Sequence, residues 1–255
     1  MAQVMIIKIM MFLMLASPGT KENIRAEKLW SDHLGNIYAL RDNSLHKYNQ
    51  NWELLSSYDW QANGTITTVD VSDPLRIVVF SAHTNQVVFL DQEMSLLSDP
   101  FNLNELNYYD VSVVCKASTG GFWLFDNLDK QIVHIDHNGK ENLKSGSIDL
   151  YSGFPEIMYE HSGHIYLGYS NQGIVVFNNQ AAYEKCLPFK FENTFECHDY
   201  HIFYVNNHNI FSYDIKLTKE EIIIGSLPDI KDFTLSGNTL YYISNQQVKQ
   251  KLLKD

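Results

Sequence analysis

The residues best placed to do chemistry in this chain are histidines in matched pairs. The stretch "HSGHIYLGYSNQGIVVFNNQ" (161–180) opens with His161-x-x-His164, and His198-x-x-His201 repeats the spacing further on. Neutral imidazoles are common zinc ligands, so four of them on neighbouring turns could converge on one ion. No thiolate or carboxylate at matched spacing completes such a set, although Glu160 and Asp199 lie close by. The expectation is therefore four solvated turn histidines, with no metal and no cofactor. His161, His164, His198 and His201 are the residues to inspect should a metal be bound. His134-x-x-His137 is a weaker case. "DNLD" (126–129) faintly resembles a calcium loop but lacks the later glycine and glutamate of one. It reads as an Asn/Asp turn.

Composition narrows the partners. Of 255 residues, 45% are hydrophobic and 13% aromatic, enough to build a core. Acidic residues exceed basic ones, 30 to 19, and the net charge is −11. A phosphate backbone is repelled by such a surface, so nucleic acid is excluded as the expected partner. The three cysteines, Cys115, Cys186 and Cys197, are odd in number and lie in apolar surroundings, so they read as buried apolar side chains. At the N-terminus, Lys8 precedes a short apolar run, Ile9–Ala16, and then Ser17-Pro18-Gly19. That is the form of a secretory signal peptide, cleaved near Gly19–Thr20. The run is too short to span a bilayer, and no later one is long enough.

The elements that would position these residues repeat. Ile37, Ile77, Phe122, Ile165, Ile202 and Leu240 head equivalent alternating segments, spaced 40, 45, 43, 37 and 38 residues apart. A period near forty with short strands and no helical pattern predicts an all-β protein, a six-bladed β-propeller. Four strands, a to d, fit each unit. In the unit around His161 they fall at about 155–160, 164–169, 173–177 and 183–188. Strand b there alternates Ile165, Leu167 and Tyr169, expected to be buried, against His164, Tyr166 and Gly168. The expected blades are 27–62, 63–105, 106–151, 152–191, 192–228 and 229–255. The last lacks a fourth strand. Residues 20–26 are expected to pair with its strand c and close the ring, removing an open sheet edge. Residues 20–255 then form one domain behind the signal peptide 1–19.

Several stretches resemble a group of uncharacterised exported propellers from Bacteroidota, within the wider WD-repeat, NHL and YVTN propeller superfamily. That group carries a Val-Asp-Val-Ser-Asn-Pro-Leu-Lys-Ile stretch in its second blade, here "VDVSDPLRIVVFSAHTNQVVFLD" (69–91), and Gly-Phe-Trp-Leu-Tyr-Asp in its third, here "GGFWLFDN" (120–127). The Gly-His and Trp-Asp dipeptides of true WD repeats are missing. The resemblance implies the fold and export. It implies no catalytic residues.

A propeller presents its d–a and b–c loops on one face, where ligand sites usually lie, and its a–b and c–d turns on the other. The inner strands read "KLWSD", "TTVDVSD", "SVVCKAS", "EIMYE", "TFECHD" and "DFTLSG", with Asp32, Asp70, Asp73, Glu160 and Asp199 mostly at strand ends. Turn capping explains these acids; a glycosidase-like pair is the competing reading. The d–a loops hold Trp60, Phe101, Tyr108, Tyr109, Tyr151, Phe154, Phe189 and Phe191, and Phe195 follows. Such aromatics either anchor a partner or fill gaps between blades. The expected function is non-enzymatic: an exported protein-binding or scaffolding module, periplasmic or at the outer envelope, with an envelope protein as partner and those eight aromatics as its contact set. A carbohydrate or small ligand at the channel mouth is the alternative.

Overall fold

The structure is a computed structural model, described here over residues 24–60, 64–187, 189–227 and 229–253. The proposed signal peptide and residues 20–23 lie outside the described residues.

Six antiparallel sheets follow one another along the chain, each paired strand to next strand. Blade 1 holds β1 (Lys28–Ser31), β2 (Ile37–Arg41), β3 (Ser44–Tyr48) and β4 (Leu54–Asp59). Blade 2 holds β5 (Thr68–Asp70), β6 (Ile77–Ser81), β7 (Gln86–Leu90) and β8 (Phe101–Asn102). Blade 3 holds β9 (Val111–Lys116), β10 (Phe122–Asp126), β11 (Gln131–Ile135) and β12 (Glu141–Lys144). Blade 4 holds β13 (Ile157–His161), β14 (His164–Tyr169), β15 (Gly173–Asn178) and β16 (Tyr183–Leu187). Blade 5 holds β17 (Phe195–His198), β18 (His201–Asn206), β19 (Asn209–Asp214) and β20 (Lys219–Ile224). Blade 6 has three described strands, β21 (Ile230–Ser236), β22 (Thr239–Ser244) and β23 (Gln247–Leu252). The first strand of each blade is innermost, and β1 lies directly beside β21.

Ring closure follows the sequence expectation over the part that is described. Arg25 bridges Gln247, the Val248 amide donates to Ile24 O at 2.8 Å, and the Ala26 amide donates to Gln246 O at 3.3 Å. The two-residue turns Asp42-Asn43, Ser162-Gly163, Asn207-His208 and Asn245-Gln246 have positive φ at both positions. That is the conformation whose twist matches two adjoining strands, and Asn and Gly suit it best.

The core is six clusters, one at each blade junction. Blades 3 and 4 meet through Cys115, Trp123, Phe125, Ile165, Leu167 and Phe177. Blades 4 and 5 meet through Tyr166, Ile174, Val176, Phe191, Phe195 and Tyr204. The middle strands of blades 2, 3 and 4 therefore bury both of their faces. All five residues of β6 and of β10 are buried. This corrects the one-sided alternation expected for β14: Ile165 and Leu167 face blade 3, but Tyr166 and Gly168 are buried as well, towards blade 5. A blade is covered on both sides, so its strands lose the polar face of a solvent-backed sheet.

Gly168 shows how tight that second face is. A Cβ added there would stand 2.4 Å from Phe195 Cε1 and 2.9 Å from Phe191 Cζ. Gly168→Ala is expected to overpack the junction at a cost of roughly 1–3 kcal/mol. A denaturation midpoint unchanged from wild type would show that the two rings do not close on this strand.

Candidate functional site

The inner strands frame a narrow channel holding two small cavities. One, of about 120 Å³, opens on the d–a side and is lined by Lys28, Thr68, Glu156, Thr194 and Asp232 among others. The second, of about 90 Å³, opens on the a–b side, between Asp70, Glu160, His161, Glu196 and His198. Trp30 and Tyr159 line both. Ligand pockets usually measure roughly 300–1,000 Å³, so neither cavity has room for a sugar ring and its neighbour.

The channel carboxylates are engaged with backbone, and most of those bonds cross from one blade to the next. Asp70 accepts the Lys116 amide at 2.9 Å, joining blades 2 and 3. Glu160 accepts the Ser118 amide at 2.8 Å and the Trp123 indole N–H at 2.9 Å, joining blades 4 and 3. Glu196 accepts the Leu235 amide at 3.0 Å, joining blades 5 and 6. Asp232 accepts the Leu29 amide at 2.8 Å, joining blade 6 to blade 1 at the closing seam. Ser31 Oγ reinforces that seam by donating to Leu235 O at 2.6 Å. These acids act as circumferential latches, since the short inner strands of neighbouring blades share no ladder of their own.

Asp32 and Asp73 behave as turn caps. Asp32 accepts the Leu34 and Asn36 amides, the Asn36 side chain and the Tyr38 hydroxyl. Asp73 caps the Leu75 amide and pairs with Lys116 at 3.4 Å. Asp199 contributes its backbone carbonyl, which faces His161 Nε2 at 2.9 Å. Sequence reasoning overlooked Glu196 and Asp232. Both lie within inner strands of the structure, β17 and β21, and only the ring geometry shows that they reach a neighbouring blade.

Crowding shifts their titration. Burial, with the charge of Glu196 adding to it, pushes the Asp232 carboxyl up to about 7 against the pull of the Leu29 amide and Lys28. Burial first, and then the charges of Glu196, Asp232 and Asp70, hold the Tyr159 phenol well above its ordinary value. Burial opposes a charge on His198, but the bond to Glu196 at 2.9 Å together with the charges of Glu196 and Asp199 outweighs it and raises the imidazole.

The histidine pairs do form the matched turns expected of them, with His161 opposite His164 and His198 opposite His201. They do not converge. His164 faces Glu184 at 3.2 Å, His198 faces Glu196, and His201 faces Asp214 at 3.7 Å. Among the described residues no group of three or more His, Cys, Asp or Glu side chains could hold a metal. In "DNLD", Asp126 caps the Leu128 amide and Asn127 holds Asp110, which is turn chemistry. The three thiols are free; Cys115 is fully buried, while Cys186 and Cys197 are half-buried.

The loop aromatics divide. Trp60 and Phe191 are buried at blade junctions, so neither is open to a partner. Phe101 packs edge-on against Phe89 and Phe122, Tyr151 lies against Tyr169, and Phe189 stacks on Tyr204 at 4.4 Å. The half-buried Tyr108 donates its hydroxyl to Glu141 at 2.5 Å. Phe195 is fully buried. Tyr109 and Phe154 remain exposed, at 61% and 43%. Two leucines that sequence reasoning missed are exposed near them, Leu128 at 64% and Leu150 at 50%.

Hydrogen bonds tie the loops of Tyr109, Leu128 and Leu150 together on the d–a face, and Phe154 follows on the same loop as Leu150. The Asn127 amide donates to Asp110 O, which places Leu128 beside Tyr109. The Ile148 amide donates to Lys130 O and Lys130 Nζ reaches Asp149 at 2.6 Å, which places Leu150 beside the same turn. Below the ridge, at the rim between blades 3 and 4, lies a groove of about 500 Å³ lined by Ile148, Leu150, Phe177, Ala181, Ala182 and Tyr183.

Fold and site together define a six-bladed β-propeller with a constricted, self-bonded channel and an apolar ridge on its d–a face. Its architecture is similar to that of several solved structures. A streptogramin B lyase matches with a TM-score of 0.62 at 11% identity, over 91% of this chain and 84% of that one. PorZ, a surface component of the type-IX secretion system of Porphyromonas gingivalis, matches with a TM-score of 0.52 at 13% identity, over 90% of this chain and 37% of that one. A Bacteroides caccae protein of unknown function matches with a TM-score of 0.56 at 10% identity, over 74% of this chain and 78% of that one. No protein-family profile and no curated protein sequence matches. At these identities the likeness establishes the fold. No described helix is long and apolar enough to cross a membrane.

Proposed function

We propose that this protein is an exported, envelope-associated binding or scaffolding module that presents the d–a face of blades 3 and 4 to a protein partner. The observation that carries the reading is the ridge of Tyr109, Leu128, Leu150 and Phe154. Four large apolar side chains, all exposed, sit on connected loops above an apolar groove. Contiguous exposed apolar patches mark interaction sites on soluble proteins, and aromatic anchors contribute disproportionately to such interfaces. The channel offers less to a ligand: its two cavities are small and its carboxylates hold backbone amides. Export rests on the N-terminal apolar run. An envelope setting is in keeping with PorZ, a bacterial surface component of similar fold.

The test compares wild-type protein with the double variant Leu128→Ser, Phe154→Ser as bait in envelope fractions of the source organism. Both side chains are exposed, so the variant is expected to fold with an unchanged melting temperature. A single stoichiometric partner is expected on the wild type and missing from the variant. Equal recovery on both baits would remove the ridge from the interface.

A further inference from the structure

The ridge carries a second pattern, and it concerns the chemistry of the partner. Each exposed apolar side chain has an exposed carboxylate one or two residues away: Tyr109 with Asp110, Leu128 with Asp129, Leu150 with Asp149, and Phe154 with Glu156. Lys130 is the cation on these loops, and it is already paired with Asp149. Asp129 and Asp110 both lie near Asp126: burial raises the Asp126 carboxyl, and their charges push it further the same way. An interface closes favourably where its potentials are complementary, and like charges brought together across it are costly.

Resting on the docking-face reading above, we propose that the ridge accepts a cationic amphipathic segment of a partner protein, with lysine or arginine side chains alternating with apolar anchors. Its cations would meet Asp110 and Asp129 and compete with Lys130 for Asp149. Its apolar side chains would lie between Tyr109, Leu128 and Phe154, with one entering the groove beside Leu150. The groove's 500 Å³ lies within the roughly 300–1,000 Å³ of ordinary ligand pockets, so it has room for an apolar side chain. A second copy of this chain is a poor occupant, since it brings the same acidic ridge and a net charge of −11. Anionic lipid and nucleic acid are repelled on the same ground.

A labelled short peptide of alternating lysine and leucine serves as the probe, with a glutamate–leucine peptide as its control. Binding to the full chain is followed by fluorescence anisotropy, and hydrogen exchange locates the contact. The lysine peptide is expected to bind with protection confined to 107–110, 126–130 and 146–154. Leu128→Ser with Leu150→Ser should weaken it roughly tenfold or more. Asp129→Asn with Asp149→Asn should weaken it severalfold and flatten its salt dependence.

Lysine-peptide binding that ignores the leucine substitutions, or protection spread over the whole surface, would be general attraction to an acidic protein and would overturn the inference. Equal binding of both peptides would overturn it too. So would self-association of the chain that the leucine substitutions abolish. If the envelope bait recovers a partner lost on Leu128→Ser, Phe154→Ser but insensitive to the aspartate substitutions, the cationic segment is wrong while the docking face stands. If it recovers none, the docking face itself fails.

Discussion

Asp232→Asn is expected to stabilise the propeller at pH 8, by roughly 2–4 kcal/mol, and to flatten the pH dependence of its stability between about pH 4 and 7. The reason lies in the closing seam. Asp232 is buried and accepts the Leu29 amide, so it serves blade closure, yet its charge is poorly solvated there and Glu196 adds a second negative charge nearby. Its carboxyl is pushed from an ordinary 3.8 up to about 7. A pKa raised in the folded state means that the native protein holds this proton more tightly than the unfolded chain does. Stability from this group is therefore complete below about pH 4. It falls as pH rises towards 7, by at most ~1.4 kcal/mol per pH unit, and stays low above that. Asparagine keeps an oxygen for the Leu29 amide and removes the charge. His198 acts in the same direction: its raised pKa adds stability in mild acid that is lost as pH rises through it. Chemical denaturation of wild type and variant at pH 5 and pH 8 reads the effect. A variant less stable than wild type at both values would mean that the charged form, and not merely the acceptor, holds the seam.

Trp123→Ala is the second large effect, a loss of ~3–5 kcal/mol. Trp123 is almost fully buried at the junction of blades 3 and 4. It lies 4.9 Å from the His134 ring, and its indole N–H donates to Glu160 at 2.9 Å. Alanine would leave a cavity in the cluster and remove one of the donors on a latch carboxylate. Against a typical domain stability of about 5–15 kcal/mol, that is a severe change. Trp123→Phe separates the two causes, because it refills most of the volume and omits the bond. It should cost ~1–3 kcal/mol, as expected for a hydrogen bond to a charged group. Equal losses in the two variants would place the whole effect in the bond to Glu160, and a Trp123→Phe protein as stable as wild type would place it in packing.

Much of the fold could be read in the chain because a propeller repeats its own signal. The anchors Ile37 to Leu240 mark six units, Asn and Gly mark the tight turns, and the missing last strand points to closure at Gln247. The two-sided burial of Gly168 and Tyr166 was not legible, because an alternating pattern looks the same whether its second face meets water or the next blade. The site was legible only in part. Asp32 and Asp73 cap turns as local sequence suggests, but Asp70, Glu160, Glu196 and Asp232 bond to residues 39 to 203 positions away. No local pattern carries such partners. The aromatics divide for a similar reason: Trp60, Phe191 and Phe189 sit in loops by sequence, while blade stacking draws them inward. The exposed partners of Tyr109 and Phe154 are leucines, which sequence reads as core.

The central claim is that one face of blades 3 and 4 meets a protein. Site-specific photo-crosslinking tests it most directly. A photoreactive residue replaces Phe154 on the ridge or, as the control, Leu217, exposed at 71% on the opposite face, and each protein is irradiated in the intact envelope. The account predicts one discrete protein adduct from position 154 and none from 217. Adducts from 217 alone, or none from either position while the protein is folded in its envelope, would contradict it.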